Sequence, residues 1–290
     1  MGSKQTQISS HQQMLWLAVA LASLVPPPRL VKQGSQRNEI LVPVTEDGLS
    51  ITVYEASMNT QAELVDEAFA STAPIGSQVD DPYGVVLWPA AQVVANIIAT
   101  LPAIHGATVL ELGAGTGLCS LTALRCGAKH VFATDYRSEP LELLREAACV
   151  LPDGASERLE TSLFDIKADQ ELPTCSADYL VAADLLYQKS TSISLARRCV
   201  EALRVPPPNV PNACREVLVG DLGRPGRQAF LDELVRQGVK QSRARFEETD
   251  GWMPAAPRHE FVSSRGDDGG GAEAQPVSVG MLRLTAQDLE

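Results

Sequence analysis

The chain has 290 residues, enough for one large domain or two small ones, and 44% of them are apolar, which is ample for a core. Its formal net charge is −12, with acids spread through the sequence, which argues against a nucleic-acid-binding protein with a basic face. The six cysteines form no C-x-x-C pair and have no accompanying histidine cluster, so we expect neither a metal site nor a disulfide framework.

The first 38 residues carry basic but no acidic side chains, and they include the apolar run MLWLAVALASLV at 14–25. This run is too short for a membrane-spanning helix, so we expect no stable membrane insertion. An organelle transit peptide, a secretory signal and a helix packed on the domain all fit it, and MGSKQT matches the N-myristoylation pattern. We predict a disordered or targeting segment over 1–38 and one folded domain over 39–290. We expect a cytoplasmic location, or a mitochondrial or plastid one reached through the acid-free segment.

Three elements are predicted before residue 101. EILVPVTEDGLSITVYEA at 39–56 has two β-rich runs around EDG, which predicts a β-hairpin with Gly48 in its turn. Residues 57–82 show no clear period and are predicted to be mostly loop. LWPAAQVVANIIATL at 87–101 has apolar residues at helical spacing, and its Pro89 is tolerated in the first helical turn.

From residue 108 onward, short apolar strands alternate with helices. The predicted strands are 108–112, 130–135, 158–165, the start of 178–187, and 215–221. The predicted helices are 117–127, 138–151 with Ser138 as N-cap, 189–205 ended by a proline-rich segment, and 226–238. This alternation predicts an α/β fold, a doubly wound parallel sheet with helices on both faces. SRARFEETD and PVSVGMLRL then add two strand-like stretches around a glycine-rich tip, which we expect to be disordered.

The run VLELGAGTGL at 109–118 places three glycines between a predicted strand and a predicted helix. In a doubly wound sheet, ligands bind at the carboxyl ends of strands, and small residues let a ligand approach the helix N–H groups. The E-x-G-x-G-x-G spacing differs from the dinucleotide pattern, and no lysine follows to form a phosphate-binding P-loop. Asp135 ends the next strand, where a carboxylate can accept both hydroxyls of a ribose. These features favour S-adenosylmethionine, a nucleoside without phosphates that carries a transferable methyl group.

Four blocks resemble the seven-stranded methyltransferases of family 16, which are mostly protein-lysine methyltransferases. The blocks are DPYGVVLWPAAQVVANII, VLELGAGTGL, ATDY and AADLLY, and with the hairpin the resemblance covers about residues 39–285. The Trp-Pro pair and GDLGRPGR at 220–227 favour the branch of electron-transfer-flavoprotein β-subunit lysine methyltransferases. The resemblance implies a Rossmann-like, seven-stranded S-adenosylmethionine-dependent methyltransferase fold with an N-terminal β-hairpin.

The resemblance also implies the residues that bind S-adenosylmethionine. Trp88 would pack beside the methionine end, Glu111 would help to hold the amino group, and Asp135 would hold the ribose. The remaining predicted contacts are Gly113, Ala114 and Gly115 beneath the cofactor, Phe164 and Asp165 beside the adenine, and Ala183 at the pocket floor. On spacing alone, Trp88 is equally compatible with a core aromatic at a helix start.

Asp184 and Tyr187, at the end of the fourth strand of this series, are the predicted catalytic residues. A lysine amine, with a pKa of about 10.4, must lose a proton before it can accept a methyl group. We hypothesise that Asp184 hydrogen-bonds the substrate nitrogen and that Tyr187 forms an aromatic wall that tolerates positive charge. Asp184 also fits an N-cap of the next helix. Arg224 and Arg227 are interpreted as local salt-bridge partners rather than substrate contacts.

The sequence therefore predicts a monomeric S-adenosylmethionine-dependent N-methyltransferase that acts on a lysine of a protein substrate, without nucleic-acid partners. A small-molecule N-methyltransferase remains an alternative, because the D-x-x-Y pattern does not encode the size of the substrate. A non-catalytic binding protein of the same fold is disfavoured by the intact set of motifs. An NAD-linked oxidoreductase is disfavoured by the glycine spacing.

Overall fold

The structure, a computed structural model, describes residues 25–70, 82–174, 177–204, 216–253 and 274–290. The first strands are β1 Arg29–Lys32, β2 Arg37–Pro43 and β3 Ser50–Ala56. The later strands are β4 Thr108–Leu112, β5 His130–Asp135, β6 Leu159–Leu163, β7 Tyr179–Ala183, β8 Glu216–Asp221, β9 Glu247–Met253 and β10 Gln275–Thr285. The helices are α1 Met58–Ala70, α2 Pro89–Thr100, α3 Leu118–Arg125, α4 Ser138–Cys149, α5 Lys189–Arg204 and α6 Arg227–Arg236. Short 3₁₀ helices cover Pro82–Val85, Ala155–Arg158 and Ala286–Asp288.

Seven of the described strands form one sheet in the order β6-β5-β4-β7-β8-β10-β9. The first five pair in parallel, whereas β10 runs antiparallel to both β8 and β9. The chain winds from β4 outward to β6 and then returns to β7 beside β4, so the direction of winding reverses between β4 and β7. This is the doubly wound, seven-stranded architecture that the sequence predicts. The crevice at such a reversal is where these sheets bind ligands.

Helices cover both faces of the sheet, which explains why its central strands β4, β7 and β8 are buried along nearly their whole length. Successive side chains of a strand point to opposite faces. Accordingly, Val109 packs in a cluster with Ile97 of α2, while its neighbour Leu110 packs in a second cluster with Phe230 of α6. All four of these side chains are almost completely buried. The site at the strand ends is therefore held by a rigid, two-sided core.

The predicted hairpin is confirmed and belongs to a separate three-stranded sheet in the order β1-β2-β3. Its strands β2 and β3 pair antiparallel along their full length, and Gly48 in the turn has a φ of +103°. Because β1 pairs with the outer edge of β2, the folded region begins before the predicted boundary at residue 39. The apolar face of the hairpin, with Ile40 and Val53, packs in one cluster with Leu121 of α3 and Leu141 of α4.

The prediction of loop for residues 57–82 is wrong for its first half, which forms α1. Leu64, Val65 and Ala68 are buried, and their spacing places them on one face of this helix. Leu64 and Val65 pack in one cluster with Tyr83 and Val86, which lie in the segment leading to α2. The apolar stripe is short and surrounded by Ala, Gln and acids, so tertiary packing rather than local periodicity stabilises the helix.

The prediction of Ser138 as an N-cap is also wrong, by one position. Ser138 is the first residue of α4, the preceding Arg137 occupies the cap position, and its side chain makes no capping hydrogen bond. Ser138 has helical backbone geometry, so its hydroxyl hydrogen-bonds the neighbouring Glu139 carboxylate at 3.2 Å instead of the first helical turn. Helix boundaries inferred from pattern alone commonly shift by a residue or two.

Several predicted features lie outside the described residues. They are most of the apolar run at 14–25, the N-myristoylation pattern, the proline-rich segment at 206–211, and nearly all of the glycine-rich tip. Within the described ranges, no helix combines the length and the hydropathy needed to cross a membrane. Among these same residues, no cluster of histidine, cysteine and carboxylate side chains could hold a metal ion.

Candidate active site

The glycine loop, residues 113–117, joins β4 to α3 at the point where the winding reverses. Gly113, Gly115 and Gly117 have φ values of +64°, +53° and +76°, all in the left-handed region that favours glycine. The alternation of glycines in the sequence thus corresponds to alternating left-handed backbone positions in a tight strand-to-helix turn. Side chains are absent from these three positions because the left-handed backbone conformation disfavours them.

Close packing is a second reason for glycine in this loop. A Cβ at Gly113 would lie 2.6 Å from a methyl of Leu185, and one at Gly115 would lie 3.1 Å from the carbonyl oxygen of Gly84. Leu185 follows the end of β7, and Gly84 belongs to the 3₁₀ helix that precedes α2. The glycine loop is therefore pressed between the two segments that carry the predicted residues Asp184 and Trp88.

Gly117→Ala is expected to lower the free energy of unfolding by about 2–5 kcal/mol, from left-handed strain and from overpacking against the buried Leu144. Gly106→Ala is the matched control, since Gly106 has a φ of +79° but no atom within 4 Å of the position that a Cβ would take. The control should lose only the strain, about 1–2 kcal/mol. Urea denaturation measures both, and equal losses would contradict the packing contribution.

Glu111 lies in β4 with only 2% of its surface exposed. Its carboxylate accepts a hydrogen bond from the backbone N–H of Ser120 at 2.9 Å and another from the Ser120 hydroxyl. Burial raises the pKa of Glu111 from 4.5 to about 7, although these hydrogen bonds oppose the rise. Glu111 therefore links β4 to the start of α3 through Ser120. In this way it supports the glycine loop that joins the two elements.

Replacing this buried acid is expected to change how stability depends on pH. The folded pKa of Glu111 is above its unfolded value, so the stabilisation from its bound proton is full below about pH 4.5 and declines until about pH 7. Relative to wild type, Glu111→Gln should therefore gain about 3 kcal/mol of unfolding free energy between pH 4 and pH 8. Urea denaturation across this range measures the difference. Glu160→Gln, at an exposed position on β6, is the control, and a pH-independent difference for Glu111→Gln would contradict the prediction.

Asp135 ends β5 and lies against the glycine loop, as the sequence predicts. Its Oδ2 accepts the N–H of Gly115 at 3.0 Å, and its Oδ1 accepts the N–H of Arg137 at 3.1 Å. The backbone N–H of Ala114 donates to the carbonyl of Thr134 at 2.8 Å, which ties the loop to the same strand. The structure thus brings the predicted ribose-binding acid and the predicted loop residues into direct contact.

Asp184 follows β7 on the other side of the winding reversal. It is one of two described non-glycine residues with positive φ, at +60°, and only 5% of it is exposed. Its Oδ1 accepts a hydrogen bond from Nε of Arg224 at 2.9 Å, whereas its buried Oδ2 has no hydrogen-bond partner within the described part of the chain. The N-cap alternative does not hold, because α5 begins only at Lys189. Left-handed backbone and an unsatisfied buried oxygen are features that concentrate at functional sites.

Trp88 stands immediately before α2 and is half-buried. Its indole N–H donates to the carbonyl of Tyr83 at 3.0 Å, which fixes the orientation of the ring. The guanidinium carbon of Arg224 lies 4.9 Å from the ring centroid, a cation–π distance. Trp88 is therefore more than a core aromatic, because one face of it contacts the cation that pairs with Asp184.

Arg224 is the residue of this site whose position could not be predicted from the sequence. Arg227 forms a local ion pair as expected, donating from Nε to Asp221 at 2.6 Å. Asp221, which ends β8, also accepts the N–H groups of Gly223 and Arg224 and thereby shapes the loop that carries Arg224. The partner of Arg224, however, is the predicted catalytic acid forty positions earlier. A sequence pattern cannot predict such a long-range contact. An acid at the end of a strand is a local feature that indicates this edge of the sheet.

The family model described as lysine methyltransferase matches residues 72–219. The chain belongs to the lysine methyltransferase family. The family expected from the four sequence blocks is thereby confirmed, and the glycine loop, Asp135 and Asp184 all lie inside the matched region.

Members of the lysine methyltransferase family from two branches are similar to this chain. The electron transfer flavoprotein beta subunit lysine methyltransferase of Homo sapiens is 26% identical over 171 residues, which are 56% of this chain and 59% of that protein. The protein-lysine methyltransferase METTL21E of Bos taurus is 32% identical over 122 residues, 38% of this chain and 40% of that protein. The matches thus span less than two thirds of either relative. The match to the solved magnesium protoporphyrin IX methyltransferase of Synechocystis PCC 6803 covers 79% of this chain and 92% of that chain, at 15% identity and a TM-score of 0.45.

The remaining predicted residues of this lysine methyltransferase family member lie around the same edge of the sheet. Ala183 is the last residue of β7 and pairs with Gly220 of β8. Tyr187 is half-buried in the turn that leads from β7 to α5. Asp165 accepts the N–H of Lys167 at 2.9 Å, in the loop that follows β6.

The ring of Phe164 is buried and is not available to stack on a ligand. Its backbone N–H donates to the carbonyl of Asp135 at 2.8 Å, which holds the loop after β6 beside β5. Phe164 is 5% exposed and packs in the cluster that holds Leu110, with the guanidinium of Arg198 5.5 Å from the ring centroid. In this structure the backbone of Phe164, rather than its ring, lies beside the predicted ribose-binding acid.

Proposed function

We propose that the protein is an S-adenosylmethionine-dependent N-methyltransferase that methylates a lysine side chain of a protein substrate. The observation that carries this proposal is the buried carboxylate of Asp184, which has an unsatisfied oxygen at the crevice of a doubly wound sheet. Family membership and relatives named for protein-lysine methylation support the choice of a lysine acceptor.

The residues at this edge fit the chemistry of the cofactor. An ionised carboxylate offers about four lone-pair positions, so Asp135, which accepts two backbone N–H groups, retains positions for the two ribose hydroxyls. The glycine loop would lie beneath the cofactor, with Trp88 at its methionine end, Ala183 at the pocket floor, and the loop of Phe164 and Asp165 at its adenine end. Glu111 would help to hold the amino group of the cofactor indirectly, by fixing the position of the glycine loop. When bound, S-adenosylmethionine supplies a methyl group on a positively charged sulfur, which suits a site rich in carboxylates.

Asp184 and Tyr187 would prepare the substrate. A lysine amine must be neutral to act as a nucleophile, and transfer to a partly dry pocket lowers its pKa by desolvation, so that the ammonium group gives up its proton to water before the methyl group is transferred. The Asp184 carboxylate would accept a hydrogen bond from the amine and aim its lone pair, while the Tyr187 ring would enclose the alkyl stem. Orientation of this kind contributes up to about 7–11 kcal/mol to a two-reactant displacement. The protein forms no covalent bond to the substrate in this scheme.

Two measurements test the proposed function in sequence. Isothermal titration calorimetry with S-adenosylmethionine tests cofactor binding, and an absence of heat at millimolar concentration would leave only a non-catalytic protein. Incubation with labelled cofactor and an extract of cells that lack this protein, followed by mass spectrometry, tests the acceptor. We expect label on a lysine of a protein. Label that appears only on small molecules would replace the proposal with a small-molecule N-methyltransferase.

A further inference from the structure

The Asp184–Arg224 ion pair is largely enclosed by the protein. The side chain of Arg224 is 10% exposed and that of Asp184 is 1% exposed. The guanidinium lies between the carboxylate, 2.9 Å away, and the face of the Trp88 indole, 4.9 Å from its centroid. A carboxylate on one side and an indole face on the other form a site that attracts a cation of any kind.

The cation that fills this site belongs to the loop that follows β8. Arg224 follows Gly223, whose φ is +76° and where a Cβ would meet no atom within 4 Å. The loop is held at its base by Asp221, which is itself paired with Arg227. The base of the loop can therefore stay in place while the long side chain of Arg224 swings away from Asp184.

We propose that Asp184 and Trp88 form a binding site for the ammonium group of the substrate, and that Arg224 occupies this site until the substrate displaces it. The identity of the incoming cation as a lysine rests on the function proposed above. Arg224 then acts as a specificity residue, because only a side chain that is cationic on arrival can exchange with it. Occupation by Arg224 also lowers the apparent affinity for the substrate in proportion to the fraction of molecules whose site is open.

The probe for this site is n-butylammonium chloride, which has the alkyl length and charge of a lysine side chain. Intrinsic tryptophan fluorescence reports its arrival beside Trp88, and a Trp88→Phe variant identifies the signal against Trp16 and Trp252. We expect Arg224→Ala to bind the probe at least about tenfold more tightly than wild type, since the competing cation is gone. Arg245→Ala is the matched control, because Arg245 is 66% exposed and pairs with Glu247 at 3.8 Å.

A double variant and a neutral probe show whether the binding depends on charge at Asp184. Asp184→Asn in the Arg224→Ala background should abolish probe binding, and neutral n-butanol should produce no saturable signal in any variant. Equal probe affinity in wild type and Arg224→Ala, or binding that survives Asp184→Asn, would overturn it. Should Arg224→Ala fail to fold by circular dichroism, Arg224→Gln removes the charge and keeps much of the stem, with the same expectation.

This measurement separates the cation site from the proposed function. It requires neither S-adenosylmethionine nor methyl transfer, so a failed methylation assay leaves the binding result intact. Conversely, a protein that methylates lysine but whose Arg224→Ala variant gains no affinity for n-butylammonium retains the proposed function and refutes the exchange. A variant that instead loses affinity for S-adenosylmethionine in calorimetry, with no gain for n-butylammonium, would assign Arg224 to the cofactor.

Discussion

Asp184→Asn is expected to lower kcat for methyl transfer by about 10²–10⁴-fold while the calorimetric affinity for S-adenosylmethionine is unchanged. Asparagine tolerates the left-handed backbone at φ +60° nearly as well as aspartate, so the strand end should keep its shape. The substitution removes the negative charge that holds the substrate amine and offsets its positive charge as it enters the crevice. Single-turnover assays with labelled cofactor measure the change.

Asp288→Asn is a suitable control for this effect, because Asp288 is 8% exposed and also pairs with an arginine, Arg243, at 2.7 Å. It lies in the last 3₁₀ helix. The control should lose stability, as any broken buried ion pair does, but retain turnover in the folded fraction. Unchanged turnover for Asp184→Asn with intact cofactor binding would remove Asp184 from the mechanism.

Asp135→Asn should weaken S-adenosylmethionine binding by about 10–100-fold, since a hydrogen bond to a charged group contributes about 1.5–3 kcal/mol. The amide keeps one acceptor oxygen but replaces the other with a donor that opposes the N–H groups of Gly115 or Arg137. Isothermal titration calorimetry with S-adenosylmethionine gives the affinity directly. The loss should appear as well with S-adenosylhomocysteine, because the ribose is common to both.

Asp178→Asn is the matched control for the structural part of this change. Asp178 likewise accepts a backbone N–H from a neighbouring strand, that of Thr108 at 2.8 Å, but at the amino end of β7. Both variants should lose some unfolding free energy, whereas only Asp135→Asn should lose cofactor affinity. If both lose affinity equally, the effect of Asp135 is a general destabilisation of the sheet rather than contact with the ribose.

The order of elements from β4 to α6 could be predicted from the sequence, because the central strands β4, β7 and β8 are buried along nearly their whole length and read as short apolar runs. TVLEL and HVFATD are short apolar runs that coincide with β4 and β5, and the helix between them ends at glycine, Gly127, with a φ of +87°. Such signals are local and need no knowledge of the fold. They failed for α1, whose apolar stripe of Leu64, Val65 and Ala68 is too short to stand out without its partner surface.

The site residues could be predicted from the sequence for a related reason, but their contacts could not. Parallel strands bring their carboxyl ends to one edge, so acids that end strands are predicted to meet a glycine turn there. Asp135 does contact that turn. The sequence could not indicate that the ring of Phe164 would face the core, because a period of two reports only which strand residues alternate and not how a loop turns after the strand.

The sequence by itself determined the winding of the sheet, the positions that must be glycine, and the acids at the strand ends, since each depends on residues close together along the chain. Only the tertiary structure decided that Arg224 lies between Asp184 and Trp88. Those three side chains come from the segments after β7 and β8 and before α2. The sequence contains no pattern that indicates which of these distant residues contact each other in the folded sheet. The side chain that occupies the crevice is therefore decided by packing between residues far apart in the chain.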